Sequence, residues 1–111
     1  MDDQPEKERS ELPEPESVCH EGIRYEAIPW GKARGLPQNG GYVSAFDIET
    51  NDELWMLKIY DVAYDGDMEE DKQDIFIDDL RINSEGQLRV SDERGNVYVV
   101  DLTTKKVTEL T

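Results

Sequence analysis

Residues 41–50 read GYVSAFDIET, and residues 95–104 read GNVYVVDLTT. Aligned without gaps, Gly41 meets Gly95, Val43 meets Val97, Phe46 meets Val100 and Asp47 meets Asp101. Ile48 then meets Leu102, and Thr50 meets Thr104. Each part of the pattern has a physical reason. Glycine permits the turn into a strand. The apolar positions feed packed faces. An aspartate at a strand's end accepts hydrogen bonds from the following turn, and a threonine supports it. The pattern predicts one strand-and-turn unit made twice.

The neighbouring segments fit the same architecture. Residues 22–28, GIRYEAI, alternate so that Ile23, Tyr25 and Ala27 share a face. Residues 29–41, PWGKARGLPQNGG, are rich in proline and glycine and predict a loop, with Asn39-Gly40 as a tight turn before the repeat. Residues 54–63, LWMLKIYDVA, are apolar on both faces, which predicts a central strand covered on both sides. Further strands are predicted over 42–48, 75–82, 87–92, 96–102 and 106–110, with Leu88 and Val90 pointing inward. The sum is an all-β antiparallel meander of about seven short strands joined by hairpin-like connections.

Residues 1–17 are rich in Glu, Pro and Asp and hold almost nothing apolar, so they predict a disordered acidic tail. Residues 18–111 then form a single all-β domain, with the repeat spanning 41–63 and 95–110.

At this level the chain resembles a known family. GYVSAFDIETNDELWML (41–57) looks like the blade repeat of the PQQ-type quinoprotein β-propellers, in which an apolar strand ends in Asp, turns, and returns with a Leu-Trp pair. EGQLRVSDERGNVYVVDLTTKKV (85–107) is similar to the preceding hairpin plus the same strand. Asn51 and Lys105 stand where the family prefers glycine, and the second copy lacks the tryptophan. The resemblance implies blade-like hairpins. A closed propeller needs at least about four blades, and this chain supplies about two. No quinone site is therefore carried over and no cofactor is expected. The sheets then pack on each other as a small sandwich or partly open barrel, or the protein self-associates; the net charge of -15 makes self-association costlier and favours the monomer.

The formal net charge is -15, from 27 acidic against 12 basic residues. Phosphate backbones and anionic membrane surfaces repel such a chain, so direct nucleic-acid and membrane binding are excluded. The charge suits solubility or a protein partner with a basic surface. Cys19 is the only cysteine, so no internal disulfide forms and a reducing compartment is expected. The N-terminus lacks the basic start and apolar run of a signal peptide, and no segment approaches a membrane span, which points to the cytoplasm.

Catalytic signals are weak. The single histidine, His20, directly follows Cys19, and neighbours in an extended segment point to opposite faces, so they form no nucleophile pair. No nucleophile elbow, phosphate loop or dinucleotide fingerprint is present. The chain reads as non-enzymatic. Asp65, Asp67, Glu69 and Asp71 alternate as calcium ligands could, but Glu70 stands where the calcium loop needs glycine and Phe76 where it needs glutamate. A solvated acidic loop is the plainer reading. Two contact surfaces remain. One is the loop with Trp30, Lys32 and Arg34, an aromatic beside cations, although Trp30 could instead cover the core's open end. The other is the acidic run with Asp65, Asp67, Glu69, Glu70 and Asp71, which would face a basic partner. The expected function is protein–protein interaction. The alternatives are an acidic inhibitor that mimics nucleic acid or neutralises a basic toxin or nuclease, and a calcium-binding module.

Overall fold

A computed structural model describes residues 13–63 and 73–110. Most of the predicted tail (1–12) and the acidic run Asp65, Asp67, Glu69, Glu70 and Asp71 lie outside the described residues. Eight strands are present among those described: β1 (Val18–His20), β2 (Ile23–Ile28), β3 (Tyr42–Asp47), β4 (Glu53–Lys58), β5 (Ile77–Ile82), β6 (Leu88–Asp92), β7 (Val97–Val100) and β8 (Val107–Glu109). They form two open, four-stranded antiparallel sheets, β1-β2-β3-β4 and β5-β6-β7-β8. The protein is all-β, as its sequence predicts. No helix among the described residues is long and apolar enough to cross a membrane.

The repeat is visible in individual hydrogen bonds. Asp47 Oδ1 accepts from the Glu49 and Thr50 amides at 2.8 and 3.3 Å, and Thr50 Oγ1 accepts from the Asp52 amide at 3.2 Å. In the second copy Asp101 Oδ1 accepts from Thr103 and Thr104 at 2.9 and 3.1 Å, and Thr104 Oγ1 from Lys106 at 3.2 Å. Asn51 and Lys105, the two departures from glycine, both adopt φ 64°. The local bonds hold the left-handed conformation that side chains otherwise disfavour.

Strand register decides which face of each sheet is buried. In the first sheet Val18, Tyr25, Ala45 and Trp55 form one cross-strand row, and Ala27, Val43 and Leu57 the next. Both rows face the second sheet, which answers with Leu80, Val90 and Tyr98, and with Ile82, Leu88, Val100 and Val107. Val43, Ala45, Leu88, Val90 and Val100 are fully buried. Tyr25 tilts against Trp55, Tyr60 stacks on Tyr98 at 5.2 Å, and Lys105 Nζ lies 5.0 Å over the Trp55 ring, tying one sheet to the other.

The two sheets stack head to tail. Val43 and Ala45 face inward, whereas their repeat equivalents Val97 and Val99 lie on the face of the second sheet that points away from the first. The inward row Val18-Tyr25-Ala45-Trp55 corresponds by register to Arg81-Arg89-Val99-Thr108 on that free face. The position of the tryptophan missing from the second copy, held by Thr108, meets no second layer among the described residues. On the free face of the first sheet, Arg24, Glu26 and Glu53 occupy the positions of the inward Leu88, Val90 and Val107. Each sheet is apolar towards its neighbour and carries charged residues among others on its free side.

The loop 29–41 closes much of the first sheet's free face. Its 3-10 turn, Gly31–Arg34, lies against Tyr42, and Arg34 Nη2 reaches Glu53 Oε1 at 2.8 Å. Glu53 also accepts from the fully buried Ser44 hydroxyl. Buried Gln38 donates to the Gly40 and Tyr60 carbonyls and accepts from the Val62 amide, fastening the loop to the segment that leaves β4.

Two details differ from the sequence reading. β1 is an eighth strand; at three residues of mixed polarity it carries no period of its own. β4 is an edge strand rather than a central one. Its segment is apolar on both sides because it does two jobs. Trp55 and Leu57 line the core from the strand, Leu54 is pushed outward at a bulge, and Ile59 and Val62 are buried in the connection to the second sheet.

Two substitutions test this packing. A Cβ on Gly31 would sit 2.2 Å from the Gln38 carbonyl oxygen and 2.6 Å from the Tyr42 ring, so Gly31→Ala is expected to destabilise by about 1–3 kcal/mol in urea unfolding. The Tyr42 hydroxyl is buried and has no hydrogen-bond partner, so Tyr42→Phe is expected to leave the melting temperature unchanged or raise it.

Candidate functional site

The 3-10 turn brings Trp30, Lys32 and Arg34 into one loop but gives them different tasks. The turn is held by Gly31 N–H to the Asn39 carbonyl at 2.9 Å and by Lys32 N–H to Asn39 Oδ1 at 3.1 Å, and it ends at Gly35 with φ 85°. Arg34 is paired with Glu53, whose carboxyl is held below its ordinary value by the Ser44 and Arg34 hydrogen bonds. Arg34 therefore clamps the loop to the sheet. Trp30 is 50% exposed and meets Phe76 edge-on at 5.8 Å. It half covers the end of the core and half faces solvent, so both sequence readings of Trp30 describe part of it.

Beside this end lies a carboxylate cluster. Burial raises the pKa of Asp78, and Asp79, Asp92 and Glu93 raise it further. Burial, followed by Asp92 and neighbouring groups, raises that of the Tyr60 hydroxyl strongly, and that hydroxyl donates to the Ile75 carbonyl at 2.7 Å. Asp92 is a turn residue, accepting from the Arg94 and Asn96 amides. Among the described residues no group of His, Cys, Asp and Glu could hold a metal ion. The five acidic residues of the calcium and partner readings lie outside the described residues.

Sequence reasoning missed the other end of the sandwich. There the head-to-tail stacking brings three turns together. Glu21 and Gly22 form a two-residue hairpin turn with φ 54° and 81°. Such turns require positive φ at both central positions and favour Asn-Gly or Gly-Gly, so Glu21 is an unusual occupant. Asn83 Oδ1 accepts from the Glu85 and Gln87 amides and shapes the second turn, with Gly86 at φ 77°. Asp101 shapes the third.

Between these turns opens a cleft of about 450 Å³, lined by His20, Glu21, Ile23, Tyr25, Glu85, Gly86, Gln87, Asp101, Leu102 and Thr103. Its volume falls within the roughly 300–1,000 Å³ of ligand clefts. Three acidic residues, Glu21, Glu85 and Asp101, line it, and no Lys or Arg is among its lining residues. His20 Nε2 lies 3.8 Å from Glu21 Oε2. Tyr25 is 3% exposed and lines the cleft, and its hydroxyl makes no hydrogen bond among the described residues. Burial, then the Glu21 charge, raises its pKa. Cys19, one residue before His20, pairs with Arg24 on the opposite face and is exposed, so the two do not meet.

No family model matches the chain, and no curated protein or solved structure matches it either.

The cluster around Asp78 generates a pH prediction. A carboxyl with a raised folded pKa contributes stability that is complete below its ordinary 3.8 and is lost as pH rises through the folded value. At neutral pH the ionised group therefore costs stability. Asp78→Asn is expected to raise the melting temperature at pH 7, and the gain should shrink as pH falls towards ~3.8, where wild-type Asp78 also becomes neutral.

Proposed function

We propose that the chain is a non-enzymatic protein–protein interaction module that engages a partner with a basic surface through its acidic turn end. The observation that carries this reading is the cleft that Glu21, Glu85 and Asp101 line without a Lys or Arg. Four carboxylates elsewhere each have a cation beside them: Glu26 has Arg24, Glu53 has Arg34, Asp61 has Lys58 and Asp79 has Arg81. Unmatched charge gathered at a concave site attracts a cationic partner and raises its rate of encounter. Trp30, half exposed at the opposite end, is a second contact surface.

The same reading makes the two sheets two blades of the PQQ-type propeller architecture, working as a monomer in the cytoplasm. The head-to-tail stacking supports this, because neighbouring blades in a ring present unlike faces to each other. The charged residues on the free faces fit this reading too, since terminal repeats in other repeat proteins carry polar outer faces.

The test is capture from native lysate with the whole chain immobilised. Between 0.1 and 1 M salt the screening length falls from about 10 Å to 3 Å. Captured proteins are expected to be basic and to be released at the higher salt. Partners held equally at both concentrations would overturn the acidic-face reading and move the contact to an apolar surface.

A further inference from the structure

We infer that the cleft between the three turns is a receptor for an arginine side chain of the partner. This deepens the proposed function and rests on it. Two independent observations converge. The first is the electrostatic setting: Glu21, Glu85 and Asp101 come from three separate turns and lie at one concave site. The second is Tyr25, which is 97% buried by virtue of its 3% exposure, yet turns to the cleft a hydroxyl with no partner among the described residues. That hydroxyl is the part of the side chain left open to the cleft, and a ligand that brings a donor gives it a protein-bound partner in place of water.

The shape of the chemistry selects arginine over lysine. Ile23 and Leu102 provide apolar wall, suited to a long methylene stem. A guanidinium is planar, carries five donors and is weakly hydrated, so it can bond several oxygens at once while lying against an aromatic ring. An ammonium is compact and strongly hydrated and gives up more on leaving water. Leu102 also shows why the site forms once and not twice. Its repeat equivalent Ile48 is 45% exposed, on the side of the first sheet turned away from the second, whereas Leu102 packs against the core between the sheets.

The probes are fluorescent acetylated tetra-arginine, tetra-lysine and tetra-citrulline amides, titrated into the full chain by anisotropy. Tetra-arginine is expected to bind several-fold tighter than tetra-lysine, and tetra-citrulline not at all. Glu21→Gln with Glu85→Gln is expected to weaken tetra-arginine about tenfold, and Tyr25→Phe several-fold. Glu16→Gln with Glu109→Gln removes the same charge from exposed positions outside the cleft and is expected to change affinity little. Unchanged melting temperatures of the variants verify folding. Equal weakening by the two double variants, or equal binding of arginine and lysine, overturns the arginine receptor while leaving the acidic module standing. Failure of both cationic peptides to bind at low salt overturns both.

Discussion

The stacking of one apolar sheet face on another is the interaction on which the rest of the molecule depends. Tyr25, Val43, Ala45 and Trp55 meet Leu80, Leu88, Val90, Tyr98 and Val100, and together they make one core. Full burial of one large apolar side chain is worth about 1.5–3 kcal/mol, so this contact outweighs any single turn or ion pair outside it. Neither sheet could stand alone with that face in water. The turns, the loop over the first sheet and the cleft all take their positions from it.

Because the stacking is head to tail, it also separates the molecule into two unlike ends. At one end the chain crosses over, with the loop 29–41, the segment after β4, and the Trp30–Phe76 and Tyr60–Tyr98 contacts. At the other end, among the described residues, only tight turns occur. Tight turns favour Asp, Asn and Gly, because short polar side chains bond the nearby backbone and glycine accepts positive φ. A surface made of such turns becomes acidic almost as a by-product of its folding. Glu21 and Glu85 go beyond that: neither carboxylate shapes its own turn, and both face the cleft. The cleft's charge therefore exceeds what the turns themselves require.

How much of this could be read beforehand depends on the range of the interaction. The repeat was legible because its turns are local. Asp47 and Thr50, and again Asp101 and Thr104, make their bonds within five residues of chain. The inward positions of Ile23, Tyr25, Ala27, Leu88 and Val90 followed from a period of two. The edge position of β4 was not legible, since an apolar run looks the same whether it is covered as a strand or buried as the segment that follows one. The cleft was not legible either, because its residues come from segments some eighty positions apart and meet only through the stacking. The one local hint was Glu21 before Gly22, an acidic residue in a turn that favours asparagine or glycine. The loop with Trp30, Lys32 and Arg34 was found, but the Glu53 carboxylate that takes up Arg34 lies nineteen residues away.

The stacking raises a question that its own chemistry answers. A head-to-tail contact is open-ended: whatever packs the second sheet on the first could pack a third on the second. On the second sheet's free face Val97 and Val99 repeat the apolar centre of the inner contact, but the flanking positions change. Arg81 and Arg89 sit directly opposite each other where Val18 and Tyr25 pair in the first sheet. Like charges at such a pair are unfavourable, and Asp79 offsets only one of them by bonding Arg81 at 2.7 Å. Exposed to water the pair is tolerated. Under a third sheet both guanidinium groups would lose their hydration, and an uncompensated buried charge costs several kcal/mol. The first sheet is closed by a different device, the loop clamped through Arg34, Glu53 and Ser44. One free face thus resists a further sheet by charge and the other is covered by chain, so the contact between the two sheets is not readily repeated on either side.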